Sequence, residues 1–395
     1  MKYNFDEVFD RKNTNSTKWE FNDMLTEVPE ALPMWVADMD FRVPAEIIDA
    51  LIKRARHGIF GYSTPDEDFY EAIINWMEKH HGWKVEKDWL AVTPGVVPAI
   101  NWVIRAFTHP GDKVILQNPV YYPFFRAIKN NGCEIVHNQL HLENGKYTMN
   151  LEDLEKKFDG RTKLLILCSP HNPVGRVWTE EELKALGNLC LDHNVLVVSD
   201  EIHSDLVYKE YKHTPFASIS DEFAQHSIIC TSPSKTFNLA GLQTSIITIA
   251  NPILRNEFLN MLEDNGMMSP NIFGIVALKA SYTYGAEWLD ELLNYLKENL
   301  EFLIRFLEER LPSIKIIKPQ GTYLVWLDFR SLGMTPQELS NFLLKKAKIA
   351  LDDGFIFGQG GEGFERMNIA CPRSTLEEGL IRIEKAIKVR NEWDE

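Results

Sequence analysis

Five short runs that are apolar almost from end to end constrain this chain more than any other feature. They occupy residues 114–117, 164–168, 195–199, 228–231 and 245–250. A strand with one wet face alternates polar and apolar side chains. A strand that is apolar throughout is covered on both faces, and the stretches between these runs carry the helical periodicity that would supply the cover. Between the second and third runs, Thr179 precedes a Glu-rich turn and then Leu183, Leu186, Gly187 and Cys190 at helical spacing. Over 69–80, Tyr70, Ile73, Ile74 and Met77 share one helical face. The pattern predicts an α/β core in three layers, with a mostly parallel sheet between helices.

Near Glu287 the character changes. Leu289, Leu292, Leu293, Leu296 and Leu300 mark a long helix, followed by a strand-like stretch at 322–328 and a further helix. A Gly-rich loop and a last helix carrying Leu376, Leu380, Ile383 and Ile387 complete the chain. A length of 395 residues exceeds what one hydrophobic core usually serves. The expected division is a large domain at 45–284 and a small α/β domain built from 1–44 and 285–395.

The net charge of −15 comes from 42 basic and 57 acidic side chains. It repels phosphate backbones and anionic lipid, so neither nucleic acid nor a membrane surface is an expected partner. The polar N-terminus holds no apolar signal segment, and no apolar stretch reaches membrane-spanning length. The five cysteines form no CxxC pair and several sit inside apolar runs, the pattern of buried free thiols in a reducing compartment, so the expected location is the cytoplasm. The eleven histidines include no HExxH; His80, His81 and His193 read as solvated helix-end residues, and no metal site is expected.

In open α/β sheets, ligands bind beyond the carboxyl ends of the strands. The residues just past each run here are chemically coherent. Asn118-Pro-Val-Tyr121-Tyr122 comes after the first and Ser169-Pro-His171-Asn172-Pro-Val-Gly175 after the second. Asp200-Glu201-Ile-His203 comes after the third, and Ser232-Pro-Ser234-Lys235-Thr236 after the fourth. Upstream, Thr93-Pro-Gly95-Val96-Val97 opens a helix-like segment through a Gly turn. Singly, each has a plainer reading: a solvated lysine, an Asp-Glu helix cap, a core tyrosine, a turn glycine. Together they supply an aromatic face, an amide, a carboxylate, an amine flanked by hydroxyls and a helix start. A phosphorylated pyridine aldehyde needs that set. The amine bonds the aldehyde, and burial lowers its pKa. The carboxylate keeps the ring nitrogen protonated, and the helix start binds phosphate.

At these residues the sequence resembles the fold-type-I pyridoxal-phosphate (PLP) enzymes, the superfamily of aspartate aminotransferase. Ser169–Gly175 and Ser234-Lys235 with Gly241 carry the match. Within that superfamily it is similar to the MalY/PatB cystathionine β-lyases, also called cysteine-S-conjugate β-lyases. The closer stretches are Leu32-Pro-Met-Trp35-Val-Ala-Asp38-Met-Asp40-Phe, Ser199-Asp200-Glu201-Ile-His203-Ser-Asp205-Leu, and Ser234-Lys235-Thr236-Phe237-Asn238-Leu-Ala240-Gly241-Leu.

The resemblance implies that Lys235 bonds the cofactor aldehyde and then moves the substrate α-proton. It implies that Asp200 pairs with the pyridine nitrogen, with His203 behind it, that Asn172 bonds the ring hydroxyl oxygen, and that Tyr121 stacks on the ring. The phosphate falls to the backbone of Gly95 and Val96, to Ser232 and Ser234, and to Tyr62 reaching across a homodimer interface. Arg373 would grip the substrate carboxylate, with Trp35 near it. Gln243 stands where many relatives carry a phosphate-binding arginine, a departure that fits the lyases better than the transaminases. Gly358-Gln-Gly360-Gly361-Glu-Gly363 lies outside a nucleotide-loop frame and reads as a mobile loop near the substrate.

The implied function is elimination from L-cystathionine or a related cysteine S-conjugate, giving pyruvate, ammonia and a thiol. An aminotransferase shares every step through proton removal, and a catalytically silent binding protein on the same fold is the remaining alternative. The intact Lys235, Asp200, Asn172 and Arg373 count against the last.

Overall fold

The computed structural model describes residues 2–20, 27–267 and 269–394. A seven-stranded sheet organises the first part of the chain. Its strands are β1 (Leu90–Thr93), β2 (Lys113–Asn118), β3 (Glu134–Gln139), β4 (Thr162–Cys168), β5 (Leu196–Asp200), β6 (Ser227–Thr231) and β7 (Ser245–Thr248). Their order across the sheet is β1-β7-β6-β5-β4-β2-β3. From β3 to β6 all neighbours are parallel, whereas β7 runs antiparallel to both β1 and β6. All residues of β5, β6 and β7 are buried, as double-sided cover requires.

Register brings the strand ends level. Cys168 pairs with Asp200, and Asp200 with Cys230, so the ends of three adjacent strands form one row. The helices between them are locally encoded. Helix α1 (Val96–Phe107) starts directly after Gly95, and α2 (Glu180–Asp192) opens on a reciprocal cap between Thr179 and Glu182. Each fully buried aliphatic side chain at the sheet–helix contacts, such as Ile100 or Leu186, contributes about 1.5–3 kcal/mol through removal from water.

The second part of the chain builds a four-stranded antiparallel sheet. Its strands are β8 (Lys315–Ile317), β9 (Leu324–Asp328), β10 (Asp352–Asp353) and β11 (Phe364–Asn368), in the order β8-β9-β11-β10. Helix α3 (Ala286–Arg310) leads into it, and α4 (Arg373–Asp394) comes after it. The two-residue strand Leu32–Pro33 pairs in parallel with Ile349–Ala350, tying the N-terminal segment to this part.

Three expectations change. The 322–328 strand begins only at Leu324, because Thr322 adopts a left-handed backbone (φ 68°). The run at 245–250 ends as a strand at Thr248. The glycines at 358–363 sit in tight packing instead of an open, mobile loop: a Cβ on Gly358 would lie 2.4 Å from Asn118 Nδ2, and one on Gly361 2.0 Å from the Gly354 carbonyl. All five cysteines are buried and free. Among the described residues no helix is long and apolar enough to cross a membrane, and no cluster of three or more His, Cys, Asp or Glu side chains could hold a metal ion.

Candidate active site

The carboxyl ends of β2, β4, β5 and β6, with the start of α1, enclose a cavity of ≈ 170 Å³. Its wall contains Gly95, Val96, Tyr121, Asn172, Asp200, His203, Ser234 and Lys235. Residues far apart in the chain thus meet because each lies just past, or at the end of, a strand in one sheet.

Lys235 sits on a four-residue helix, Pro233–Thr236, capped by Ser232. Its Nζ donates to the Ala37 carbonyl at 2.8 Å. Burial, and next the nearby Arg366 charge, lower its pKa to about 8, against the pull of Asp38 and Asp200. A sizeable fraction of this amine is therefore neutral near pH 7–8, as a nucleophile or base requires.

Asp200 is the converse. Burial pushes its pKa up to about 7, although the Ile202 N–H (3.1 Å) and Lys235 both oppose the shift. Among the described residues, that N–H is the only hydrogen-bond donor to its side chain. A buried carboxylate so poorly compensated lacks a cation, and a protonated ring nitrogen would supply one. Next to it His203 is held neutral, its pKa pushed well down by burial and by the charges of Lys235 and Arg366; its Nδ1 has no partner within the described structure. Ser245, also in the wall, has an unpartnered Oγ. Ser232 Oγ lies 2.8 Å from both Ser234 Oγ and the Thr244 carbonyl, behind the start of that short helix. These orphaned groups, the amine and the N–H groups at the start of α1 match a phosphorylated pyridine aldehyde in chemistry.

One expected site residue lies elsewhere. Arg373 points away from the cavity: its Nε donates to Asn299 Oδ1 (2.7 Å) and its guanidinium lies 4.8 Å from the centre of the Phe302 ring. The guanidinium at the cavity is that of Arg366 in β11. It is buried, donates to Asn172 Oδ1 (2.9 Å) and to the Trp35 carbonyl (3.1 Å), and pairs with Asp352, while its Nε has no partner. The signal for it is present in the sequence: Phe364-Glu-Arg-Met-Asn is a short strand with two charges inside an apolar stretch. Trp35 contributes through its carbonyl, its indole donating instead to the Lys18 carbonyl at 3.4 Å. Tyr62 is fully exposed and lines a separate open cleft of ≈ 560 Å³ that meets the cavity at Pro94. Gln243 borders the same cleft with a left-handed backbone (φ 52°).

Behind the cavity lies a buried polar layer that sequence periodicity does not show. His81, expected at a wet helix end, is 2.7 Å from Asp205, which also accepts from Trp76 Nε1 (3.0 Å) and Thr236 Oγ1 (2.7 Å). Glu201 accepts from Ser199 Oγ (2.8 Å) and the Phe216 N–H (2.9 Å) and lies 3.0 Å from His213. The immediate neighbours of Lys235 and Asp200 are thus fixed by ionisable groups in a dry layer, which restrains both side chains. His80 and His193 do sit at helix ends and are exposed, stacked on Trp76 and Phe158.

The chain has close relatives of known structure and name. The family described as aminotransferase class I and II matches residues 32–383. Cystathionine beta-lyase PatB of Bacillus subtilis (strain 168) is 49% identical, over 97% of this chain and 100% of its own length. Cystalysin from Treponema denticola, solved with a pyridoxal 5'-phosphate cofactor, superposes with a TM-score of 0.95 at 41% identity, covering 98% of this chain and 99% of its own. The PLP-bound C-S lyase from Staphylococcus hominis superposes with a TM-score of 0.91 at 33% identity, over 97% and 98% of the two chains.

Proposed function

Because this chain belongs to the aminotransferase class I and II family, we propose that it is a PLP-dependent carbon–sulfur β-lyase, which cleaves L-cystathionine or a related cysteine S-conjugate to pyruvate, ammonia and a thiol. The observation that carries the chemistry is the pairing, in one cavity, of a lysine with a lowered pKa and a buried carboxylate with a raised one. The likeness to PatB and to C-S lyases of this length carries the choice of reaction.

When bound, PLP supplies an electron-accepting ring that stabilises negative charge at the substrate α-carbon. The chain's own groups do the rest. Lys235 would anchor the cofactor and, once free, its amine would take the α-proton, leaving the bonding pair to expel the thiolate from the β-carbon. Asp200 keeps the ring nitrogen protonated, with neutral His203 beside it. Asn172 would bond the ring hydroxyl oxygen, and Tyr121 would cover the ring face. The N–H groups at Gly95 and Val96, with Ser232 and Ser234, hold the phosphate. Arg366, in place of Arg373, binds the substrate carboxylate through its two-pronged guanidinium and orients Asn172 at the same time.

Residues 45–284 form the cofactor-binding domain in this reading, and 1–44 with 285–395 form the small domain. The active unit is a homodimer in which Tyr62 reaches the other subunit's phosphate. The exposed Ile59 and Phe60 beside it are the surface such a contact would cover. Five buried free thiols fit a cytoplasmic enzyme.

The test is to incubate the holoenzyme with L-cystathionine, adding no keto acid, and to assay ammonia and pyruvate. Release of both over many turnovers is the expected result. A single burst that resumes only on adding a keto acid would make the protein an aminotransferase.

A further inference from the structure

The segment from Trp35 to Met39 runs beside the cavity as a strap, with Ala37 in the cavity wall. Every one of its five carbonyls accepts a side-chain hydrogen bond. Trp35 accepts from Arg366 and Met39 from Asn238, while Asn368 Nδ2 serves both Val36 and Asp38. The Ala37 carbonyl takes two side-chain donors, Lys235 Nζ at 2.8 Å and the Tyr323 hydroxyl at 3.0 Å. The strap is pinned from the other side, where Arg11 binds both Asp38 and Asp40 and the buried Lys18 pairs with Asp40 at 2.6 Å.

Tyr323 is aimed at this carbonyl by a strained backbone. Its neighbour Thr322 is β-branched yet sits at φ 68°, a region such residues rarely enter. That turn is held by the Thr322 N–H on the Leu206 carbonyl (2.6 Å) and by the Leu324 N–H on Thr322 Oγ1 (3.1 Å). Strain of this kind persists where the surroundings fix it, and it gathers at functional sites. Tyr323 is also fully buried, edge-on to His203 at 6.2 Å between ring centres.

We propose that the Ala37 carbonyl and the Tyr323 hydroxyl form a dock for the Lys235 amine, which holds it at the cavity wall whenever it is not bonded to the cofactor. This rests on the reading of Lys235 as the group that moves the α-proton. The balance of that step gives the dock its purpose. The neutral amine takes the proton from the α-carbon, whose bonding pair stays behind, and becomes an ammonium. The Ala37 carbonyl then accepts a charge-assisted bond from it, and Tyr323, occupying the other lone pair, fixes where that carbonyl points. Tyr323 is a positioning residue, acting on the amine through Ala37.

The experiment is Tyr323→Phe, studied first as the holoenzyme. Exchange of the substrate α-hydrogen with deuterated solvent reads proton transfer directly, whether the later product is a thiol or an aminated cofactor. Failure of the lyase reading therefore leaves this test intact. The expected result is α-hydrogen exchange and kcat lowered about tenfold, KM within about twofold of the parent, and a larger isotope effect with α-deuterated substrate. In the apoprotein, reductive methylation followed by mass spectrometry should label Lys235 several-fold faster in the variant than in the parent. Parental exchange and a parental labelling rate would overturn the dock. If Tyr323→Phe fails to fold, Thr322→Gly decides. Glycine accepts the same φ but removes the hydroxyl bracket that aims Tyr323, so exchange should fall about two- to threefold, and an unchanged rate would overturn the proposal.

Discussion

Replacing Asp200 by Asn should stabilise the apoprotein while disabling the holoenzyme, and the size of the first effect can be worked from the structure. The carboxyl ordinarily titrates near 3.8, and burial raises it to about 7 in the folded chain. The folded state therefore binds this proton more tightly than the unfolded chain does. Below pH 3.8 both states are protonated and the group is neutral in the balance. As pH rises through the window from 3.8 to 7, the unfolded chain has lost its proton and the folded one has not, so stability declines by about 1.4 kcal/mol per pH unit. Above pH 7 the loss levels off at about 4 kcal/mol. Asn has nearly the same shape, can still accept from the Ile202 N–H, and cannot ionise. At about 2.1 cal/mol/K per residue, a chain of 395 residues unfolds with an entropy near 0.8 kcal/mol/K, so the gain corresponds to about 5 °C in Tm. The assay is scanning calorimetry of cofactor-free parent and variant at pH 6, 7 and 8. The difference should be largest at pH 8 and shrink toward pH 6, whereas thiol release by the cofactor-loaded variant should drop about 100-fold or more. Equal Tm values at pH 8, or a variant less stable than the parent there, would refute the view that Asp200 is an uncompensated buried charge waiting for a cation.

Arg366→Lys should raise KM about tenfold or more through loss of bidentate carboxylate binding, measured by steady-state kinetics. Arg373→Ala should leave KM within about twofold and lower stability by about 1 kcal/mol through its Asn299 bond. Tyr62→Phe should weaken cofactor retention about 10- to 100-fold in equilibrium dialysis, the worth of one hydrogen bond to a charged group, and parental retention would remove the reason to place this tyrosine at the phosphate. Gly358→Ala must fit a Cβ 2.4 Å from Asn118 Nδ2 at φ 90°, and denaturant titration should show about 1–3 kcal/mol of lost stability.

The large sheet is legible in the sequence because burial on both faces leaves uninterrupted apolar runs, and because the groups of chemical interest stand directly after them. Strands β1 and β3 are illegible for the opposite reason. The first is four residues long, and the second carries the exposed Glu134 and His137 at the sheet edge, where solvent relaxes the pattern, together with a buried Asn138 bonded to Asn150 and Asp153. The resemblance implies Arg373 as the carboxylate-binding arginine, and both Arg366 and Arg373 come after the same Gly-rich loop. What separates them is the partner Asp352, fourteen residues earlier, and a register that only the folded sheet defines. The His81–Asp205 contact spans 124 positions, and no periodicity predicts a helix-end histidine turning inward to a carboxylate on another loop.

The row formed by Cys168, Asp200 and Cys230 has a consequence for how such a protein is made. The cavity draws its wall from Ala37 through Ser245 and its guanidinium from Arg366, so no contiguous fragment owns a working share of it. A chain emerging from the ribosome holds the strap, the carboxylate and the lysine long before the arginine can close the site around them. The groups proposed to hold the cofactor, from Gly95 to Ser245, are all synthesised before the arginine proposed to hold the substrate, so the two halves of the site are completed in that order.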